Sequence, residues 1–137
     1  MKKYTFILLF LALVLAACGG DDAPAAEADI DVTNLPDSVD VATTLALLEN
    51  DDVFVIDVRE QWEYDEGHIP GIPLIPMSEF QTRLDEIPTD KEVIVTCRSG
   101  NRSSQVTDFL RQEGYTNIHN MDGGILAWQA AGYDVEQ

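Results

Sequence analysis

The chain runs to 137 residues and carries eight basic side chains against 25 acidic ones, a formal charge of −17. Such a surplus of carboxylates repels phosphates and anionic headgroups, which argues against nucleic acid as a partner and against adsorption on anionic lipid. Two cysteines cannot make a disulfide framework, and two histidines far apart in the chain, His68 and His119, offer no metal-ligand spacing, so neither metal nor cofactor is expected.

Lys2 and Lys3 precede an apolar run over residues 6–17, the layout of a secretory signal with a basic n-region and a short h-region. About 20 apolar residues are needed to cross a bilayer as a helix, so a spanning segment is the weaker reading. Leu15-Ala16-Ala17-Cys18 resembles a bacterial lipobox. The resemblance implies that residues 1–17 are removed, that the Cys18 sulfur receives diacylglycerol, and that the protein is held outside the cytoplasm on a bacterial membrane, inner or outer. Cleavage there leaves six basic residues against 25 acidic ones, a charge of −19. Residues 18–37 then form a lipidated cysteine and a flexible acidic tether, reaching roughly 25 Å as a coil. Within it, the alternation Ile30-Asp31-Val32 admits a short strand but ranks below linker. With Cys18 lipidated, Cys97 is the remaining thiol, so an outside molecule must complete whatever it begins.

Residues 38–137 amount to about 100 residues, enough to bury one core. Asp40 is suited to cap a helix bearing Val41, Leu45 and Leu48, with Asn50 as a left-handed stop. Val53-Phe54-Val55-Ile56 reads as a central parallel strand buried on both faces. Asp57 and Arg59 follow at its carboxyl end, where they are candidates to brace the neighbouring loop, chiefly in a structural role. Residues 60–66 suit a short helical turn, and Gly67-His68-Ile69-Pro70-Gly71 a turn into a strand over 72–75. Pro73 cannot donate to a ladder, so that strand should be short or lie on an edge. His68 is a candidate general base, but a histidine in a glycine-rich turn is more simply fixed by backbone hydrogen bonds. Ser78-Glu79-Phe80-Gln81 has the pattern of a capping box, and Phe80, Leu84 and Ile87 mark one face of a helix ending at Pro88.

The most informative stretch is 91–113, read as strand, loop and helix. Val93, Ile94 and Val95 suit a buried strand, Val106, Phe109 and Leu110 recur at helical spacing, and Gly114 supplies a stop. Between them lies Cys97-Arg98-Ser99-Gly100-Asn101-Arg102-Ser103. Ligands of open α/β sheets bind at such a junction, facing the first free N–H groups of the helix. Gly100 and the small Ser99, Ser103 and Ser104 let the backbone curl into an anion-binding nest. Arg98 and Arg102 add guanidinium groups, and no carboxylate occurs between Val93 and Thr107. A thiol so placed has its pKa lowered from about 8.5, which makes Cys97 a candidate nucleophile. A last strand is expected around Asn117-Ile118-His119, and a last helix after Gly123-Gly124, with Trp128 in the core and Gly132 as its stop. The glycine pair could cradle an anion, though close packing against the active loop is the simpler reading.

The loop at 97–103 resembles the active-site loop of the rhodanese (thiosulfate sulfurtransferase-like) family. Asp57-Val58-Arg59-Glu60, Gly67-His68-Ile69-Pro70-Gly71 and Gly123-Gly124 with Trp128 resemble further segments of that family in the same order. The resemblance implies a three-layer α/β fold with a central parallel five-stranded sheet and helices on both faces. It also implies a sulfurtransferase in which Cys97 carries a persulfide and Arg98, Ser99, Gly100, Asn101, Arg102 and Ser103 bind the donor. The expected donor is a small sulfur anion such as thiosulfate, and the acceptor a thiol, cyanide, sulfite or a partner protein, acting on a monomer. Ile72-Pro73 departs from the family pattern, which puts local strand geometry in doubt. The alternatives are a cysteine-dependent phosphatase or arsenate reductase, whose loops place five residues between Cys and Arg where this one places four, a non-enzymatic carrier or binding module, and a thiol redox sensor lacking a resolving thiol.

Overall fold

A computed structural model describes residues 30–137, so the expected signal peptide and Cys18 lie outside the described residues. Four parallel strands form one sheet: β1 (Ser38–Val39), β2 (Val53–Asp57), β3 (Glu92–Thr96) and β4 (Ile118–Met121), in the spatial order β1-β4-β3-β2. Between them run α1 (Val41–Leu47), α2 (Gln61–Glu66) and α3 (Asn101–Gln112), and α4 (Gly124–Ala130) follows β4.

Both faces of the sheet are covered, and the pleat decides which residue goes where. Val93 and Val95 point into a cluster with Val106 and Leu110 of α3, together with Phe80 and Ile87. Ile94, between them, points into a second cluster with Leu47 of α1 and Ile125 and Trp128 of α4. Val93, Ile94 and Val95 are all fully buried. Strict alternation between two apolar layers is why this strand reads as a continuous β-branched run.

The expected fifth strand is absent from the sheet. Residues 72–75 run alongside β2 but make a single parallel bridge, Asp57 to Leu74, in which the Asp57 N–H donates to the Pro73 carbonyl and the Ile75 N–H to the Asp57 carbonyl. Pro73 has no N–H to donate back toward the start of β2, and beyond Ile75 the contact is reduced to one further bond, from the Met77 N–H to the Val58 carbonyl at 3.1 Å. Two-residue β1 pairs with β4 at the first two residues of the expected domain, directly after the expected tether. That tether joins the domain earlier than expected: Ile30, Val32 and Leu35 pack on the second cluster, and residues 32–34 form a 3₁₀ turn where a strand was the alternative.

Asp40 caps α1 as expected, its carboxylate accepting from the Thr43 N–H at 2.7 Å. Thr44 and Leu47 are its fully buried residues, Val41 and Leu48 pack half-buried on the second cluster as expected, and Leu45 is exposed. Asn50 is not left-handed; its side chain accepts from the Asp52 N–H and closes the turn that way. The helix expected from Ser78 resolves into two 3₁₀ turns, Phe80–Thr82 and Leu84–Glu86. The Ser78 hydroxyl donates to Glu60 at 2.8 Å, and Glu79 precedes the first turn without a side-chain cap. Phe80 and Ile87 are nevertheless buried, which shows that the apolar spacing encoded a face rather than a helix type.

Candidate active site

The loop after β3 turns on Gly100, whose φ of +92° is open to glycine alone without strain and whose hypothetical Cβ would lie 3.2 Å from the Gly123 nitrogen. This turn starts α3 and brings the Gly100 N–H to 3.2 Å from the Cys97 sulfur. The Ser103 hydroxyl, fully buried one turn into the helix, lies 3.4 Å from the same sulfur. Cys97 itself is buried. Burial alone would raise its pKa and is the largest single influence on it. The Ser103 hydroxyl and the N–H groups of Ser103, Ser99 and Gly100 together outweigh burial and hold the thiol below its ordinary value. These donors cradle the sulfur, whereas the sequence reading had given much of that role to the arginines.

The two arginines diverge. Arg102 makes two hydrogen bonds of 2.6 Å to Glu63, a buried residue of α2, in a bidentate pair. That pairing brings the Glu63 carboxyl down to about 2, chiefly through the Arg102 hydrogen bonds working against burial. Glu63 also accepts from the Glu60 N–H at 3.1 Å, which ties the first turn of α2 to its own pair with α3. The loop is therefore not the uncompensated cationic island that its local sequence suggested. Arg98, by contrast, is exposed and has no carboxylate in ion-pair range among the described residues. Ser99 and Asn101 are exposed beside it.

Gly123 and Gly124 hold the loop's backbone rather than an anion. The Ile125 N–H donates to the Cys97 carbonyl at 2.8 Å and the Leu126 N–H to the Arg98 carbonyl at 3.1 Å, so the first turn of α4 is capped by the loop itself. A Cβ on Gly124 would stand 2.3 Å from the Cys97 carbonyl oxygen, so only glycine permits this approach.

Asp57 and Arg59 form a buried ion pair of 2.7 Å. Arg59 also donates to the Gly67 carbonyl at 2.9 Å, so the pair braces the segment after α2 and not the cysteine loop. His68 stacks on Tyr64, with ring centroids 3.6 Å apart, and its two nitrogens face the Tyr64 carbonyl and Glu136. Both nitrogens are thus engaged by structure. A cleft of about 410 Å³ adjoins the loop, walled by Arg98, Glu63 and Arg59 together with Trp62, Glu66 and Leu126. The sequence singled out neither Glu63 nor Leu126; the spacing of Glu60 and Glu63, three apart at a helix start, was the signal available for the first.

The rhodanese-like domain model matches residues 40–131, more than half of the chain. The chain belongs to the rhodanese-like family. A sulfurtransferase of Allochromatium vinosum is 39% identical over 89 residues, 65% of this chain and 83% of that protein. The thiosulfate sulfurtransferase GlpE of Pseudoalteromonas translucida is 33% identical over 93 residues, 68% of this chain and 89% of that one. Among solved structures, a rhodanese-related protein from Thermoplasma volcanium superimposes with a TM-score of 0.67 at 35% identity, covering 74% of this chain and 98% of that one. Rhodanese-like membership makes sulfur transfer the chemistry against which the Cys97 cradle is to be judged.

Proposed function

We propose that this rhodanese-like protein takes a sulfane sulfur from thiosulfate or a related anionic donor onto Cys97 and passes it to a thiophilic acceptor. The supporting observation is the Cys97 sulfur held by the Gly100 N–H and the Ser103 hydroxyl, with its pKa lowered by hydrogen bonds in a buried setting. With thiosulfate, the thiolate attacks the outer sulfur, a new S–S bond forms at Cys97, and the donor's own S–S bond breaks with its electron pair leaving on sulfite. The persulfide so formed carries the negative charge one atom further out, where the loop N–H groups stabilise it. Arg98, which has no carboxylate partner among the described residues, attracts the anionic donor. Incubation with thiosulfate should add the mass of one sulfur atom to the intact protein, reversibly with cyanide, and not to Cys97→Ser. No adduct with thiosulfate, polysulfide or mercaptopyruvate, together with turnover of an aryl phosphate, would overturn this reading.

Cys18 is proposed to anchor the protein by lipid to the outer side of a bacterial membrane, on the strength of the lipobox-like Leu15-Ala16-Ala17-Cys18. Cys18→Ser should then release the protein from the membrane fraction or leave it uncleaved; fractionation and migration like the wild type would end that proposal.

A further inference from the structure

Four charged groups beside the cysteine loop cancel one another. Glu63 binds Arg102 bidentately, with both hydrogen bonds at 2.6 Å, and Asp57 pairs with Arg59 at 2.7 Å. The hydrogen bonds that Arg102 donates to Glu63 are the largest influence on both partners of that pair. Beyond them, Glu63 also feels the Arg59 cation, and Arg102 feels the Cys97 sulfur and Asp57. Arg102 is thus within electrostatic range of the reacting atom, but its charge is already answered. A paired guanidinium acts at a distance as a dipole, whose field falls away faster than that of a lone cation. The hydrogen bonds that hold the Cys97 sulfur come from Ser103, Ser99 and Gly100, so Glu63 is not needed to make the thiolate. Arg98, the other cation of the loop, is in no ion pair among the described residues.

We propose that Glu63 is a specificity-determining residue for the sulfur donor: by neutralising Arg102 it leaves the loop with one free cation, so the site favours donors bearing a single negative charge over dianions such as thiosulfate. This rests on the persulfide reading above and adds the charge class of the donor. With Cys97 ionised, its charge offsets that of Arg98, and a donor arrives at a nearly neutral loop on a protein of formal charge −17. Every unit of charge on the donor meets the same potential, so a dianion is helped or hindered twice as much in free energy as a monoanion. A lone Arg102 would favour the dianion; a paired one withdraws that advantage. An organic thiosulfonate, in which carbon replaces one oxygen of thiosulfate, is a donor of the favoured class. The Cys97 thiolate attacks its outer sulfur, a bond forms between the two sulfurs, and the donor's own S–S bond breaks with its electron pair leaving on the sulfinate. No outside oxidant or reductant is required.

The test follows sulfur loading of Cys97 by intact mass, with thiosulfate as the dianion and the methanethiosulfonate anion as the monoanion. The quantity read is the ratio of the two loading rates, thiosulfate over methanethiosulfonate, in each protein. Glu63→Gln frees the Arg102 charge and should raise that ratio roughly threefold or more at low salt, with the rise shrinking as salt is added. Arg102→Gln leaves Glu63 unpaired and should lower the ratio, so the opposite signs keep the test decisive if one variant does not fold. Glu63→Asp keeps the charge and should keep the wild-type ratio even where both rates fall. A purely structural role for Glu63 would change the two rates in proportion. Ratios that stay equal in all four proteins, or that shift without regard to salt, would overturn the assignment while leaving the persulfide intact. Failure of the wild type to load from either donor would instead remove the sulfurtransferase reading on which it rests.

Discussion

The Ser103 hydroxyl has one proton and two acceptors within reach, the Cys97 sulfur at 3.4 Å and the Gly100 carbonyl at 3.1 Å. A neutral thiol accepts weakly and leaves that proton with the carbonyl, whereas a thiolate draws it to sulfur, because bonds to an ionised partner are roughly twice as strong. The residue is thus a stabiliser that acts mainly on the charged form. Ser103→Ala should move the midpoint of Cys97 alkylation against pH upward, toward the ordinary thiol value of about 8.5, while Ser104→Ala leaves it in place. Equal midpoints in all three proteins would assign thiolate stabilisation to the backbone alone. Ser103 was legible in the sequence because its neighbours announced a tight glycine-containing turn. Glu63 was not, since its role depends on a partner thirty-nine positions away and no local pattern encodes that distance.

At the scale of elements, the bidentate Glu63 and Arg102 pair ties α2 to α3 and so fixes how the loop closes into its helix. The Glu63 carboxyl lies at about 2 in the fold against 4.5 in its ordinary state. The unfolded chain therefore takes up this proton first, and the pair's stabilisation is complete above about pH 4.5 and is lost as pH falls from there toward 2. Thermal unfolding followed downward from about pH 6 should show a steeper loss for the wild type than for Glu63→Gln, in which the ionisation is absent. Arg102→Ala should cost about 1–3 kcal/mol at neutral pH, less than for a fully buried pair because the Arg102 side chain is 30% exposed. Indistinguishable acid profiles would remove the pair from the account of stability. Elements with a single reading were legible in the sequence: β3 from three β-branched residues, α3 from its spacing and its Gly114 stop. The 72–75 segment is short and on an edge, as Pro73 leads one to expect, but it shrinks to a single bridge, so the five-strand sheet implied by the resemblance becomes four. After Ser78 the apolar spacing marked the buried face but not the helix type, and the serine is tied to Glu60, eighteen residues upstream.

Over the whole molecule, the last residues are fastened to the middle of the chain. Main-chain bonds of 2.9 Å run both ways between His68 and Glu136, and the Glu136 carboxylate accepts from the Gly71 N–H at 2.8 Å. Removal of residues 136 and 137 should cost about 1–3 kcal/mol, each kcal/mol lowering Tm by roughly 4–8 °C in a domain of this size. Unchanged melting would show that the strap merely rests on the domain.

The capping of α4 by the loop also dictates an order of events during synthesis. The carbonyls of Cys97 and Arg98 are gripped by N–H groups of residues 125 and 126, which leave the ribosome nearly thirty residues after the thiol does. A nascent chain that stops before Gly124 has the cysteine and its donors at residues 99–103 but not the clamp that holds the loop's carbonyls, so full support of the cradle waits for completion of the fold. Because exposed thiolates are readily oxidised, a cradle completed late leaves less time for its thiol to be damaged before the fold is finished.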